Sequence, residues 1–350
     1  MTHRRRKMAR SSTGSPITVA GVGPNHSAVT PLAASAPGIT NSLGADEDPS
    51  PLTYYDSNGN QAYLFPTVDF GHNIYFRNNT NLNNLFSVDS TVLYSYSTSV
   101  GTEAADVMMW NSDTVLVTVS AISDNTIRAL TFSLSGLING TSSHIASQGT
   151  IRNNQGVKLS GYDSHVFAHP NGNKYLLYSN HVSIRIALMS SYNTVTQDTL
   201  LVQTSQPSSD SEAFYNTEAP STVIFPDSNG SQMINLAFAT GDFETKNYQT
   251  RLMYVDASRN PLHPANWVLT EQPFLQSSSA NQAYAPGSGG FFIGPGGSPF
   301  FAYGGYDRSK GQGGQSGNYP RTIRVQKSPA TSKGVLHPNT PISTPDHNTS

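Results

Sequence analysis

The chain contains no cysteine, so no disulfide can brace it and cysteine usage says nothing about its redox compartment. Charge is scarce too: only 12% of its 350 residues are Asp, Glu, Lys or Arg. No run approaches the roughly 20 apolar residues that would span a bilayer, which excludes a helical membrane anchor from the reading. Ile17–Ala36 is broken by Gly, Pro, Asn and His and makes a poor signal-peptide core. No long stretch carries apolar residues at helical spacing. Gly, Ser, Thr, Asn and Tyr are abundant instead, the usage of an all-β protein with many turns.

The net charge of −2 hides an asymmetry. Arg4, Arg5, Arg6, Lys7 and Arg10 stand in residues 1–44, which hold no acid. The remainder carries 15 basic and 22 acidic residues, a balance of −7. An acidic body argues against nucleic acid as a partner, and nothing suggests a membrane. Residues 1–44, rich in Ser, Thr, Ala, Gly and Pro, read as a solvated, disordered basic tail, and 344–350 as a second flexible tail. Five Asn-x-Ser/Thr sequons, at Asn25, Asn78, Asn139, Asn229 and Asn348, fit an extracellular, secreted protein.

Residues 45–343 contain one phrase five times. The copies begin at Asp48, Ala105, Asp163, Glu218 and Ala285, and their starts lie 57, 58, 55 and 67 residues apart. Each is a short β-like run, a turn rich in Gly, Asn, Asp or Pro, and a second β-like run. Asn58-Gly59, Asn171-Gly172 and Asn229-Gly230 supply three of the turns, of a kind that wants positive φ. An all-strand repeat of this length predicts a five-bladed β-propeller. Strands are expected at 61–66 and 73–77 in the first blade and at 92–96, 107–110, 115–120 and 127–134 in the second. The third takes 165–169, 174–178, 183–189 and 200–204. The fourth takes 222–225, 234–239, 250–255 and a piece at Trp267, and the fifth 291–293, 299–303 and 322–327, with no helix anywhere. Equivalent positions in successive blades face one axis, so Asp48, Asp163 and Glu218, each just before the first strand of its repeat, are expected to meet.

Three acids at one pocket can hydrolyse a glycosidic bond. One protonates the leaving oxygen and a second activates water from the opposite face, with roughly 6.5–9.5 Å between them in an inverting enzyme. A third carboxylate raises the pKa of the acid, because like charges disfavour a second ionisation.

The order and context of these acids resemble glycoside hydrolase family 43, the five-bladed arabinofuranosidases and xylosidases. The matching segments are Asp48-Pro49-Ser50, Tyr162-Asp163-Ser164 and Thr217-Glu218-Ala219-Pro220. The resemblance implies Asp48 as general base, Glu218 as general acid and Asp163 as pKa modulator. Asn260 to Trp267, Pro273-Phe274-Leu275 and Arg321 to Lys327 are similar to segments of the branch acting on arabinose side chains or arabinan ends. Two departures stand out. Glu103-Ala104-Ala105 replaces the Trp-Ala-Pro that opens the family's second blade, which puts a further acid where an aromatic wall is expected. Ala285-Pro286-Gly287-Ser288 replaces Gly-Pro-Gly-His, whose histidine helps hold a central calcium; Ser288 is no substitute for imidazole, and no cofactor is expected to be required. Tyr162, Phe214, Tyr215, Trp110, Glu103, Tyr284, Arg321 and Arg324 are candidates for binding substrate. His165 and His169 share one strand parity and read as a hydrogen-bonded or exposed pair rather than metal ligands.

The expected activity is that of an inverting exo-glycosidase on plant-wall polysaccharide, foremost an α-L-arabinofuranosidase acting on arabinan or arabinoxylan as a monomer. The alternatives are a propeller that binds carbohydrate with weakened catalysis, a β-xylosidase, and a retaining glycosidase of the fructan-cleaving type.

Overall fold

The structure, a computed structural model, describes residues 17–20 and 49–337, without 57, 69–71, 86–87, 89, 98–99, 139–144, 181, 206–215, 242–246, 279–282 and 308–321. Five sheets follow one another along the chain, antiparallel apart from short parallel additions to the third. Blade 1 consists of Leu52–Tyr55, Gln61–Val68, Asn73–Asn79 and Thr91–Ser95. Blade 2 consists of Thr102–Met109, Thr114–Ala121, Thr126–Ser133 and Ile145–Thr150. Blade 3 is built on Tyr162–Ala168, Lys174–Ser179, Ser183–Ser191 and Thr194–Ser205. Blade 4 has Thr217–Pro226, Gln232–Thr240, Gln249–Asp256 and the two-residue Val268–Leu269, and blade 5 has Ala283–Ile293, Pro299–Asp307 and Thr322–Lys327. In each, the strand nearest the N-terminus is innermost. The innermost strands touch from blade to blade and the ring closes, blade 5 packing on blade 1.

Alternating apolar residues explain the ring. A lone sheet of this size cannot bury both faces, whereas radial stacking covers each face with the next blade. An apolar cluster fills each space between blades. Leu64, Ile74, Val107, Val117 and Phe132 sit between blades 1 and 2. Leu116, Ile127, Val166 and Leu176 join blades 2 and 3. Leu177, Ile186, Leu236, Phe238 and Trp267 join 3 and 4. Phe274, Phe291, Phe301 and Tyr303 lie in the cluster of blades 4 and 5, and Tyr63, Phe65, Phe292 and Val325 in that of 5 and 1. Gln61 reinforces the closure, its amide donating to the carbonyls of Ile293 and Gly294 at 2.9 and 3.0 Å.

The Asn-Gly turns share one construction, with positive φ at Gly59, Gly172 and Gly230 only. Asp56 Oδ1 accepts the N–H groups of Asn58 and Asn60, and Asp227 Oδ1 those of Asn229 and Ser231, all at 2.8 Å. His169 occupies the corresponding place in blade 3, where Nδ1 accepts the N–H of Asn171 at 3.2 Å. It is buried there, and burial pushes its pKa down.

Several expectations need correction. The strand predicted at 92–96 to begin blade 2 is the outer strand of blade 1, and Ile145–Thr150 takes the outer place in blade 2. Among the described residues one short α-helix occurs, Leu134–Ile138, where the strand ending at Ser133 gives way. Within residues 1–44, expected to be wholly a disordered tail, Ile17–Ala20 forms a strand that pairs in parallel with Val202–Ser205 at the outer edge of blade 3. The innermost strands start earlier than expected, so Asp163 and Glu218 lie inside strands rather than ahead of them.

Candidate active site

One irregularity recurs in four blades. The pairing of the innermost strand with its neighbour slips between Glu103 and Asp106, Tyr162 and His165, Glu218 and Ser221, and Tyr284 and Gly287. The residue after the first of each pair has positive φ: Ala104 at 50°, Asp163 at 46°, Ala219 at 48° and Ala285 at 50°. A bulge of this kind kinks the strand and re-aims its side chains, and a non-glycine residue there costs about 1–2 kcal/mol of backbone strain. Three of the four positions hold alanine, which minimises the clash. The fourth holds an aspartate, one of the few side chains that visit this region readily. Glu103, Tyr162, Glu218 and Tyr284 are thus structural equivalents around the axis.

The bulges surround a partly open cavity lined by Pro49, Ser50, Asp106, Asp163, Ala219 and Gly289, among others. Asp163 lines it, and Glu218 stands next to the lining residue Ala219 at the blade 4 bulge. Asp163 is buried, its N–H donates to Ser120 Oγ at 2.9 Å, and its Oδ2 accepts the N–H of Ala219, the residue after Glu218, at 3.1 Å. Glu218, also buried, accepts from the Tyr248 hydroxyl on Oε1 at 2.6 Å and from Asn216 Nδ2 on Oε2. Asp48 lies outside the described residues. Its neighbours Pro49 and Ser50 line the same cavity, and they run so close to blade 5 that a Cβ on Gly290 would come within 2.6 Å of the Pro49 carbonyl oxygen.

Beside this pair sits a second buried polar group. Asp106 Oδ1 accepts from Ser50 Oγ and from His165 Nδ1 (3.0 Å), while Oδ2 accepts the N–H of Val166 at 3.0 Å. His165 Nε2 accepts the N–H of Thr222 at 3.0 Å and contacts its hydroxyl at 2.9 Å, which puts the ring proton on Nδ1. Four blades are joined through one carboxylate and one imidazole. His165 and His169 therefore serve different ends of the strand, one at the axis and the other in a turn.

Of the other candidates, Tyr162 is half-buried and donates to Asn216 Oδ1 at 3.3 Å, at the edge of the Glu218 network. Tyr284 is buried in a cluster with Tyr248, Ala285 and Tyr306. Glu103 is half-buried at the blade 2 bulge. Trp110 sits away from the cavity, beyond the opposite end of its strand, packed on the core between blades 2 and 3 with the Lys174 ammonium 4.7 Å over its ring. Arg324 is fully buried in blade 5, donates to the Tyr306 carbonyl at 3.5 Å, and occupies space that only a glycine at 305 leaves open. Phe214, Tyr215 and Arg321 lie outside the described residues.

Ser288, at the family's histidine position, is buried with positive φ, and its hydroxyl bonds the hydroxyl of Tyr248. Among the described residues no group of three His, Asp or Glu side chains is arranged to hold a metal ion.

Sequence reasoning missed Asp106, Asn216 and Tyr248. The first was legible in principle, three residues after Glu103 in the blade 2 copy of the repeat. Tyr248 stands 30 residues after Glu218 with no local pattern to mark it.

Comparison with solved structures gives the same ring. The chain resembles an α-L-arabinofuranosidase from Lactobacillus brevis with a TM-score of 0.70 and 17% identity, over 88% of this chain and 98% of that one. A xylan β-1,4-xylosidase from Bacillus halodurans superposes with a TM-score of 0.61 at 15% identity, over 89% of this chain and 60% of that longer one. An α-L-arabinanase from Cellvibrio cellulosa gives 0.56 at 10% identity, over 84% and 95%. At such identities the likeness establishes the fold alone. No curated protein matches the chain in sequence. The model of the glycosyl hydrolases family 43 matches residues 145–335, more than half of the chain and a span that includes Asp163 and Glu218. Five closed blades with that match over blades 3 to 5 make the chain a member of glycosyl hydrolase family 43.

Proposed function

We propose that the protein is an inverting, exo-acting α-L-arabinofuranosidase that removes arabinose from plant-wall arabinan or arabinoxylan. The observation that carries the reading is the bond from the Ala219 N–H to Asp163 Oδ2, which ties the buried blade 3 aspartate to the residue that follows the buried Glu218. The step asks Glu218 to give its proton to the glycosidic oxygen. The bond from the anomeric carbon to that oxygen breaks with its electron pair going to the oxygen. Water adds from the opposite face and loses its proton to Asp48, the neighbour of two cavity-lining residues. Asp163, a second negative charge close by, disfavours ionisation of Glu218 before the step. The Lactobacillus brevis arabinofuranosidase, which shares the ring, makes arabinose the first sugar to test.

The test is Glu218→Gln, assayed on arabinan oligosaccharides and on an aryl arabinofuranoside with a good leaving group. Loss of at least ~10²-fold in kcat on the oligosaccharides, with a smaller loss on the aryl substrate, is expected of a general acid. An unchanged rate on oligosaccharides overturns the assignment. Proton NMR of the first-formed product separates inversion from retention. Measurable binding of arabinosides and xylosides without turnover would mark a binding propeller.

A further inference from the structure

Tyr248 has no place in the reaction as stated, yet the fold goes to some length to install it. Its side chain is fully buried just before the third strand of blade 4, in a cluster with Ala239, Tyr284, Ala285 and Tyr306. Its ring lies against Gly287, where a Cβ would come within 2.3 Å of it, so the innermost strand of blade 5 keeps a glycine to admit the ring. Its hydroxyl reaches Glu218 Oε1 at 2.6 Å and also bonds Ser288 Oγ. Ser288 itself is held at φ 49°, a conformation that serine rarely adopts. A phenol has one proton to give. If Tyr248 gives it to Glu218, the serine hydroxyl is the donor to the phenol oxygen. The three groups then form a chain of donors pointing from blade 5 into the blade 4 carboxylate.

We propose that Tyr248, backed by Ser288, is a positioning residue for the glycosidic step, fixing Glu218 and stabilising the carboxylate that remains once its proton has gone to the leaving oxygen. The proposal rests on the reading of Glu218 as general acid. When Glu218 releases its proton, negative charge appears on a buried group, where an unpaired charge is costly. A donor already aimed at that oxygen needs no reorganisation at the moment of transfer. Asn216 Nδ2 does the same for Oε2, and its own carbonyl oxygen is held by Tyr162. The opposing influence in this reading is Asp163 on blade 3, bonded to the N–H of the residue after Glu218, since a second negative charge nearby disfavours a carboxylate. Among the described residues the other titratable or charged groups on packed elements include Tyr284 and Tyr306 in the Tyr248 cluster, Arg324 behind Tyr306, Tyr162 on Asn216, and the Asp106–His165 pair against Thr222. Tyr248 and Asp163 thus act on Glu218 in opposite directions. One makes the proton easier to release and the other keeps it in place until substrate arrives.

The experiment follows the Glu218 carboxyl by ¹³C NMR in full-length protein labelled at glutamate, its resonance identified by its absence from Glu218→Gln. Removing a donor from a carboxylate raises its titration midpoint. Tyr248→Phe, which keeps the ring and the packing, is expected to raise it by about one pH unit. Ser288→Ala is expected to move it the same way by less, and it tests the chain should Tyr248→Phe fold poorly. On the aryl glycoside that the native chain turns over fastest, the alkaline limb of the kcat profile should move up with the midpoint while KM holds. A purely structural tyrosine would lower activity at all pH values and leave limb and midpoint unmoved. A midpoint in Tyr248→Phe that is unchanged or lower overturns the proposal. If Glu218→Gln retains turnover, the general-acid reading itself falls, whichever way the midpoint moves.

Discussion

Replacing Asp106 should test whether the axis is held by its buried carboxylate. Three donors converge on it: the Ser50 hydroxyl and His165 Nδ1 on one oxygen, and the Val166 N–H on the other. Both Asp106 and His165 are buried, so water is a poor substitute. In Asp106→Asn the amide oxygen does best in the Oδ1 place, keeping Ser50 and His165. The amide nitrogen then faces the Val166 N–H, donor against donor. Turning the amide round is worse, because His165 cannot shift its proton to Nε2, where the Thr222 N–H already points. One lost buried bond predicts a cost of about 1–3 kcal/mol. Asp106→Ala leaves all three donors without a partner and is expected to cost ~3–5 kcal/mol, the range seen when one member of a buried polar pair is removed. At about 2 °C per kcal/mol for a domain this large, Tm falls by ~6–10 °C. Urea unfolding followed by the fluorescence of Trp110 and Trp267 gives the same quantity independently. A loss below about 1 kcal/mol in Asp106→Ala, or equal losses in Asn and Ala, would refute the claim that the carboxylate joins the blades.

Gly290→Ala should lower kcat by at least tenfold, since its Cβ would press on the Pro49 carbonyl at 2.6 Å and the Ser50 Cα at 2.7 Å and displace the segment that follows Asp48; steady-state kinetics on the native substrate reads this, and an unchanged kcat would show that the segment has slack. His169 binds its proton less readily when folded than when unfolded, because it is buried. The unfolded chain therefore takes up more protons as pH falls below 6.5, and the stability contributed by the neutral ring is fully present above that value and declines below it. His169→Asn, which keeps an acceptor for the turn, should flatten the dependence of the urea midpoint on pH between about 6.5 and 5.

The period of the repeat made the blades legible in the sequence because every blade must present the same alternation to its neighbour. The apolar runs at Tyr175 to Tyr178 and Ile234 to Phe238 do fill the spaces between blades. Where the period failed, local chemistry was absent. Ile145–Thr150 follows a segment rich in Gly, Ser and Asn and carries little alternation, so blade 2 was given an outer strand that belongs to blade 1. Asp163 and Glu218 were visible because acids are rare in this chain and stand at equivalent points of the repeat. Tyr248 was not, because a buried tyrosine that serves a carboxylate has the same sequence signature as one that fills a core. Trp110 shows the converse: an aromatic in an innermost strand looked like a sugar platform, and its place at the far end of that strand gives it to packing.

The recurring bulge explains how one architecture tolerates such different blades. Its backbone course is set by strand pairing on either side, since Glu103 pairs with Ser120, Tyr162 with Ser179, Glu218 with Ala239 and Tyr284 with Tyr306. The cores that close the ring lie outward of it. The side chain on the bulge lies inward of those cores, so what stands there bears less on the closure between blades than the apolar residues of the strands do. Blade 4 uses the position for a carboxyl group fed by two donors. Blades 3 and 5 use it for tyrosines, one of which steadies Asn216 and the other the pocket of Tyr248. Blade 2 places a second carboxyl, Glu103, in the same relation to the axis as Glu218. Because the bulge aims these two acids alike, substitution of Glu103 should alter substrate preference with little effect on Tm, whereas the residues one step outward, such as Val107 and Val166, should show the reverse.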